Sequence, residues 1–347
     1  MKKAFSFVLS ILFVVGLLSA SAGSALADSA PETKELHIVT TIFPVYDWVM
    51  NVLGDQAGSA EVTMLLDSGV DLHSYQPTVE DIVKIAGCDL FIYVGGESDE
   101  WVDNALAEAI NKDMVVIDLL DILGDKVKEE EIVEGMEAEH EHDHDHEEDH
   151  DHEEGHDHAE DHDHEEGEAE FDEHVWLSLK HAETLSGAIA DTLVQLDTAN
   201  ADSYRANAAA YADKLNILDA QYRAAVDAAP VKTLLFGDRF PFRYLTDDYG
   251  LDYYAAFVGC SAETEASFQT IIFLANKLDE LGLPAVLQIE SADGSIARTI
   301  VENTNSRSQQ ILTLDSMQSV TAKDVAAGTS YLAVMEKNLD VLKAALG

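Results

Sequence analysis

Short apolar runs rich in β-branched residues alternate with helix-length stretches along this chain, and they do so twice, on either side of one long amphipathic segment. In the first block, residues 36–42, 61–66, 89–94 and 114–119 read as strands, with helices over 46–53, 79–86 and 100–110 between them. The second block repeats the pattern, with strands over 231–236, 252–257, 285–289 and 310–314 and helices over 267–281, 295–304 and 326–346. Between the blocks, Tyr204, Ala208, Tyr211, Leu215, Leu218, Tyr222 and Ala225 recur at alternating spacings of four and three. That spacing predicts a helix of about 25 residues, near 37 Å long at about 1.5 Å per residue, ended by Pro230. Strands that alternate with helices pair in parallel and are covered on both faces. The expected class is therefore α/β, with two lobes, a stiff helical connector and a cleft suited to a small ligand.

Residues 129–170 break the rhythm. They hold 23 Asp or Glu, no Lys or Arg, and ten histidines: His140, His142, His144, His146, His150, His152, His156, His158, His162 and His164. Such a composition cannot supply a core, so a disordered insertion in the first lobe is expected. Across the whole chain, 20 Lys and Arg stand against 67 Asp and Glu, a formal charge of −47. A field of that sign repels phosphates, which excludes nucleic acid as a partner and disfavours anionic membrane surfaces. Cations are the small partners it attracts.

The N-terminus reads as an export signal. Lys2 and Lys3 precede an apolar run over 4–18, and Ala25-Leu26-Ala27 is a small-x-small cleavage pattern. An apolar run of about 15 residues is short of the roughly 20 needed to span a bilayer. Cleavage near Ala27 is expected, giving a soluble periplasmic or extracellular protein, and no cysteine lies near this segment for a lipid anchor. The expected organisation is a signal peptide over 1–27, an N-terminal lobe over 28–178 carrying the insertion, a helical region over 179–229 and a C-terminal lobe over 230–347. The two cysteines, Cys88 and Cys260, have 171 residues between them and form no C-x-x-C pair; one bridge is possible in an oxidising compartment, but they read as free buried thiols.

Outside the insertion four histidines remain. His37 lies within a strand and His181 at the start of a helix, and both read as structural. His73 and His174 lie in loops, His73 directly after a strand and His174 just before a helix. Loops at the C-terminal ends of parallel strands are where α/β proteins bind ligands. Each histidine alone is as readily a packing residue as a ligand, but together neutral imidazoles there can coordinate a transition metal.

From about Leu36 to the C-terminus the chain resembles the metal-binding solute-binding proteins of bacterial ABC importers for zinc and manganese, the cluster A-I family. The resemblance rests on Val39-Thr-Thr-Ile-Phe-Pro-Val-Tyr46, Asp71-x-His73-x-Tyr75-x-Pro77, Asp172-x-His174-Val-Trp-Leu-Ser178 and Asp248-Tyr-Gly-Leu251. The acidic, His-rich insertion is similar to that of the zinc-uptake branch. The resemblance implies two Rossmann-like lobes with parallel sheets joined by a long rigid helix, and one metal held in the inter-lobe cleft by four side chains. It also implies a membrane permease of an ABC importer as partner; the protein itself is expected to be a monomer.

Carried over residue by residue, the resemblance makes His73 and His174 the first two ligands and Asp315, in Leu314-Asp-Ser-Met317, the fourth. The third slot departs from the family, which has His or Glu three residues before a Phe and five before a Tyr. Phe242 and Tyr244 put Arg239 there, and a guanidinium has no lone pair to give. Asp238 beside it and Glu290 after the strand over 285–289 are the alternatives, unless either simply pairs with Arg239. Two imidazoles and two carboxylates suit Zn²⁺ or Mn²⁺, and the ten imidazoles of the insertion tip the choice to zinc. The expected function is a zinc receptor for an ABC importer. A manganese receptor, an extracellular metal buffer or adhesin, and last a zinc hydrolase with Glu290 or Glu263 as base are the competing readings. Against an enzyme, the chain lacks His-Glu-x-x-His, Gly-x-Ser-x-Gly and a phosphate-binding glycine loop.

Overall fold

The computed structural model describes residues 35–137, 170–261 and 265–347; the expected signal segment lies outside them. The first half runs β1 (Leu36–Thr40), α1 (Phe43–Leu53), β2 (Ala60–Met64), α2 (Val79–Gly87), β3 (Leu90–Tyr93), α3 (Trp101–Ala107), β4 (Val115–Asp118) and α4 (Leu119–Leu123). Then come α5 (Leu179–Leu196) and α6 (Ala201–Ala228). The second half runs β5 (Thr233–Phe240), α7 (Arg243–Tyr249), β6 (Asp252–Val258), α8 (Phe268–Leu281), β7 (Ala285–Gln288), α9 (Ser295–Glu302), β8 (Gln310–Thr313), α10 (Ala322–Ala326) and α11 (Tyr331–Leu346).

The strands form two four-stranded sheets, ordered β2-β1-β3-β4 and β6-β5-β7-β8, so the second repeats the strand order of the first. Every ladder is parallel. Helices cover both faces, which is why Leu90, Phe91 and Ile92 of β3 are all fully buried instead of alternating. Local capping agrees with these bounds. Thr78 and Asp81 form a reciprocal capping box on α2, Ser178 caps α5 and Ser267 caps α8.

The expected connector is α6, 28 residues long. It buries Tyr204, Tyr211, Leu215, Leu218, Tyr222 and Val226. Asn207 donates to the Val52 carbonyl of α1 (3.0 Å) and the Tyr222 hydroxyl to the Met335 carbonyl of α11 (2.6 Å). One helix is thus hydrogen-bonded to both an early and a late element of the chain.

The helix expected over 326–346 is two helices, because Gly328 turns at φ 95° and Ser330 starts α11 afresh by accepting from the Ala333 N–H. The start of the insertion also differs from expectation. Residues 129–137 belong to the fold: Glu129 bridges Phe171, Glu130 N donates to the Glu170 carbonyl (2.8 Å), and Glu137 N donates to the Ala256 carbonyl of β6 (3.0 Å). Backbone pairing does not need apolar side chains, so composition alone placed the boundary too early. Residues 138–169 lie outside the described residues. Both cysteines are free, Cys88 buried with its sulfur 3.4 Å from that of Met114. Among the described residues, no helix is long and apolar enough to cross a membrane.

Candidate metal centre

His73 sits in a single helical turn, Leu72–Ser74, after β2, where the Asp71 carboxylate accepts its backbone N–H (3.1 Å). His174 begins a second turn, Val175–Leu177, all of it buried, that leads into α5. Asp172 Oδ1 accepts both the backbone N–H (2.9 Å) and Nδ1–H (3.0 Å) of His174. His174 is fully buried, its ring tilted between those of His73 and Trp176 at centroid distances of 5.1 and 5.2 Å.

These two loops bring the imidazoles together with Nε2 atoms 3.1 Å apart. The Nδ1 side of each ring is occupied. On His73 it meets the Ser98 hydroxyl at 2.8 Å and the Glu173 carboxylate at 3.5 Å, and on His174 it meets Asp172. Two lone pairs facing each other in a buried site repel unless a cation or a proton lies between them. Two nitrogens on a tetrahedral zinc, at about 2.0–2.1 Å from the ion, stand about 3.3 Å apart, close to the spacing here. Burial, and then the neighbouring His174, hold the protonation of His73 well below the usual imidazole range, so it is a neutral donor. The carboxylates behind the rings fix their orientation, as outer partners of metal-bound histidines do.

A third donor atom joins them. Cys260 follows β6, and its sulfur lies with the His73 and His174 nitrogens in a group whose atoms are all within 4.8 Å of one another. Burial and the carboxylates of Glu130, Asp172 and Glu173 hold the thiol protonated far above its ordinary range. The sequence reads this cysteine as a free buried thiol; it is free, but only partly buried. The available signal was its position, in Val258-Gly-Cys-Ser261 at the C-terminal end of a strand, the same kind of place as His73. Beside the cluster opens a cavity of about 260 Å³ lined by His73, Ser98, Glu130, Glu170, Glu173 and Cys260.

The other candidates have other partners. Asp238 accepts from the backbone N–H groups of Arg239 (2.9 Å) and Ile289 (3.1 Å). Glu290 accepts from Ser316 N (2.7 Å) and Gln318 N (3.0 Å), and Asp315 from Met317 N (2.8 Å). Burial and the nearby Glu290 charge raise the Asp315 carboxyl above its usual range. Arg239 pairs with Asp71. His37 faces Glu61 on the surface and His181 packs edge-on to Tyr244. Glu263 and the ten histidines from His140 to His164 lie outside the described residues.

Two parallel sheets of one strand order, a long helix bonded to both halves and an imidazole pair in the loops define the fold of a solute-binding protein of the metal type. Residues 38–345 match the sequence model of the zinc-uptake complex component A family, described as periplasmic, and the chain belongs to that family. The high-affinity zinc uptake system protein ZnuA of Bacillus subtilis is 29% identical over 340 residues, covering 96% of this chain and 97% of that one. Zinc-binding lipoprotein AdcA of Streptococcus pneumoniae is 32% identical over 313 residues, 89% of this chain and 55% of that protein. Zinc-binding protein AdcA of Streptococcus pyogenes is 29% identical over 96% of this chain and 61% of its own, so this chain spans about three fifths of these longer relatives. The Zn(II)-bound ZnuA-like domain of Streptococcus pneumoniae AdcA superposes with a TM-score of 0.65 at 28% identity, over 90% of this chain and 99% of that domain.

Proposed function

We propose that this protein is an exported zinc receptor that captures Zn²⁺ in its cleft and hands it to the membrane permease of an ABC importer, with no covalent chemistry of its own. The observation that carries the reading is the pair of Nε2 atoms 3.1 Å apart, one on buried His174 and one on largely buried His73, each ring held from behind at Nδ1. The geometry suits a cation, and Glu290, one of the two candidate bases, is engaged by the backbone N–H groups of Ser316 and Gln318. Family membership and relatives described as zinc-binding support zinc as the cargo. The ten histidines within 138–169 favour zinc over manganese on chemical grounds, and with their acidic neighbours would attract cations to the protein.

Metal analysis of protein purified without added metal, followed by competition of Zn²⁺ against Mn²⁺, tests this. One tightly held zinc per chain is expected, lost in His73→Ala and in His174→Ala. Preference for manganese, or wild-type affinity in either variant, overturns it.

A further inference from the structure

We infer that the Cys260 sulfur is the third protein ligand of the metal, filling the role that Arg239 cannot, so that His73, His174 and Cys260 present an N₂S donor set. This rests on the reading of the site as a metal receptor and gives it a chemistry the sequence motifs do not announce.

Three observations carry it. The three donor atoms already lie within 4.8 Å of one another, and a tetrahedral zinc with Zn–N about 2.0–2.1 Å and Zn–S about 2.3 Å needs N···S near 3.6 Å. The closure required is therefore no more than about 1 Å. Next, the backbone before the cysteine is pressed onto the site: a Cβ at Gly259 would stand 3.1 Å from His174 Cε1 and 2.9 Å from the Phe240 carbonyl oxygen. The loop is therefore shaped to lie against the imidazole. Finally, the second sheet offers no competing donor here among the described residues. Asp238, Glu290 and Asp315 all accept backbone N–H groups, whereas Cys260 reaches the histidines.

The arrangement has chemical consequences. A cation held by all three side chains ties the loop after β6 to the His73 and His174 loops, so binding itself draws the halves together. A thiolate is a soft donor, which favours Zn²⁺ over Mn²⁺ irrespective of the insertion. The cavity lined by His73 and Cys260 is also lined by Glu130 and Glu170, carboxylates that add negative charge beside the donor set.

The full chain is loaded with Co²⁺ and, separately, titrated with Zn²⁺, as wild type, Cys260→Ser, Cys260→Ala and the control Cys88→Ala. Wild type and Cys88→Ala should show a thiolate-to-cobalt charge-transfer band that both Cys260 variants lack. Zinc affinity should fall more than about 100-fold in both Cys260 variants, beyond the 10–100-fold that loss of an outer-shell partner costs, with circular dichroism unchanged. A cobalt-loaded wild type without the band, or wild-type zinc affinity in Cys260→Ser or Cys260→Ala, overturns the thiolate ligand while leaving the receptor intact. Absence of stoichiometric cobalt or zinc from the wild type, or retention of metal by His73→Ala, overturns the receptor reading instead.

Discussion

Arg239, on β5 of the second sheet, forms an ion pair with Asp71, the residue whose carboxylate also caps the backbone of His73. The position where the family resemblance calls for a metal ligand thus carries a cation that bridges the halves. Both partners are largely buried, with side chains 13% and 20% exposed, so solvent screens the pair less than a surface bridge. Arg239→Gln should loosen closure and speed zinc release several-fold, with little change in association, as expected when one partner of a shielded charge pair is removed. Stopped-flow transfer of zinc to a chelator measures it. Unchanged or slower release would mean that repulsion between the guanidinium and the bound cation outweighs the latch.

Asp47 predicts a pH dependence of stability. It lies in α1 and accepts from Asn51 Nδ2 (3.0 Å), the Tyr331 backbone N–H of α11 (3.2 Å) and the Tyr211 hydroxyl of α6 (3.5 Å). Burial outweighs those bonds and pushes its carboxyl up to about 6. A carboxyl that holds its proton more tightly when folded contributes its stability below the unfolded pKa of about 3.9. That contribution is lost as pH rises through the folded value. Asp47→Asn should therefore gain on the wild type by about 2 kcal/mol between pH 4 and pH 7, read from urea midpoints at the two pH values. An offset that is the same at both would show that Asp47 does not titrate in this window.

The sheets were legible because parallel strands covered on both faces leave unbroken apolar runs such as Leu90-Phe-Ile-Tyr93. β5 outruns its expected end at Phe236 because the ladder shifts register between Phe236 and Arg239, and the polar pair Asp238-Arg239 hides that continuation. The histidine pair was legible from its motifs. Cys260 was not, because its place just after a strand is only a weak local signal and its proximity to a ring 86 positions earlier in the chain is a tertiary fact. The partner of Arg239 is likewise 168 positions away.

Gly259 should tolerate no side chain. Its added Cβ would meet the Phe240 carbonyl at 2.9 Å and the His174 ring at 3.1 Å, neither of them the flexible end of a long side chain. Gly259→Ala should cost about 1–3 kcal/mol of stability through overpacking, and should weaken zinc binding by displacing His174 or the loop that carries Cys260. Thermal melts and zinc titration report the two effects. A variant with wild-type values in both would show that the loop can retreat without disturbing the metal.

Two deletions separate the contribution of residues 129–137, which bond to the fold, from that of the histidine tract. Replacing residues 138–169 by a short Gly-Ser linker removes all ten histidines and 17 of the 23 acidic residues but none of the described contacts. The fold and the tight zinc site should survive within about 0.5 kcal/mol, as for surface changes generally. Weaker zinc equivalents should disappear, and capture at low ionic strength should slow as the local negative field falls. Extending the deletion to 129–170 also removes the Glu131 bond to Arg243 (2.7 Å), the Glu137 N–H to Ala256 bond (3.0 Å) and the Glu130 carboxylate that accepts the Cys260 N–H (3.0 Å). A buried or part-buried donor or acceptor left without its partner, here the Cys260 N–H and the Ala256 carbonyl, costs about 1–3 kcal/mol, so this variant should be destabilised by more than about 2 kcal/mol and should bind zinc more weakly. Calorimetry and thermal melts of the pair decide it: equal stability would return residues 129–137 to the status of a spacer, and loss of the tight site in the shorter deletion would make the histidine tract part of the primary site.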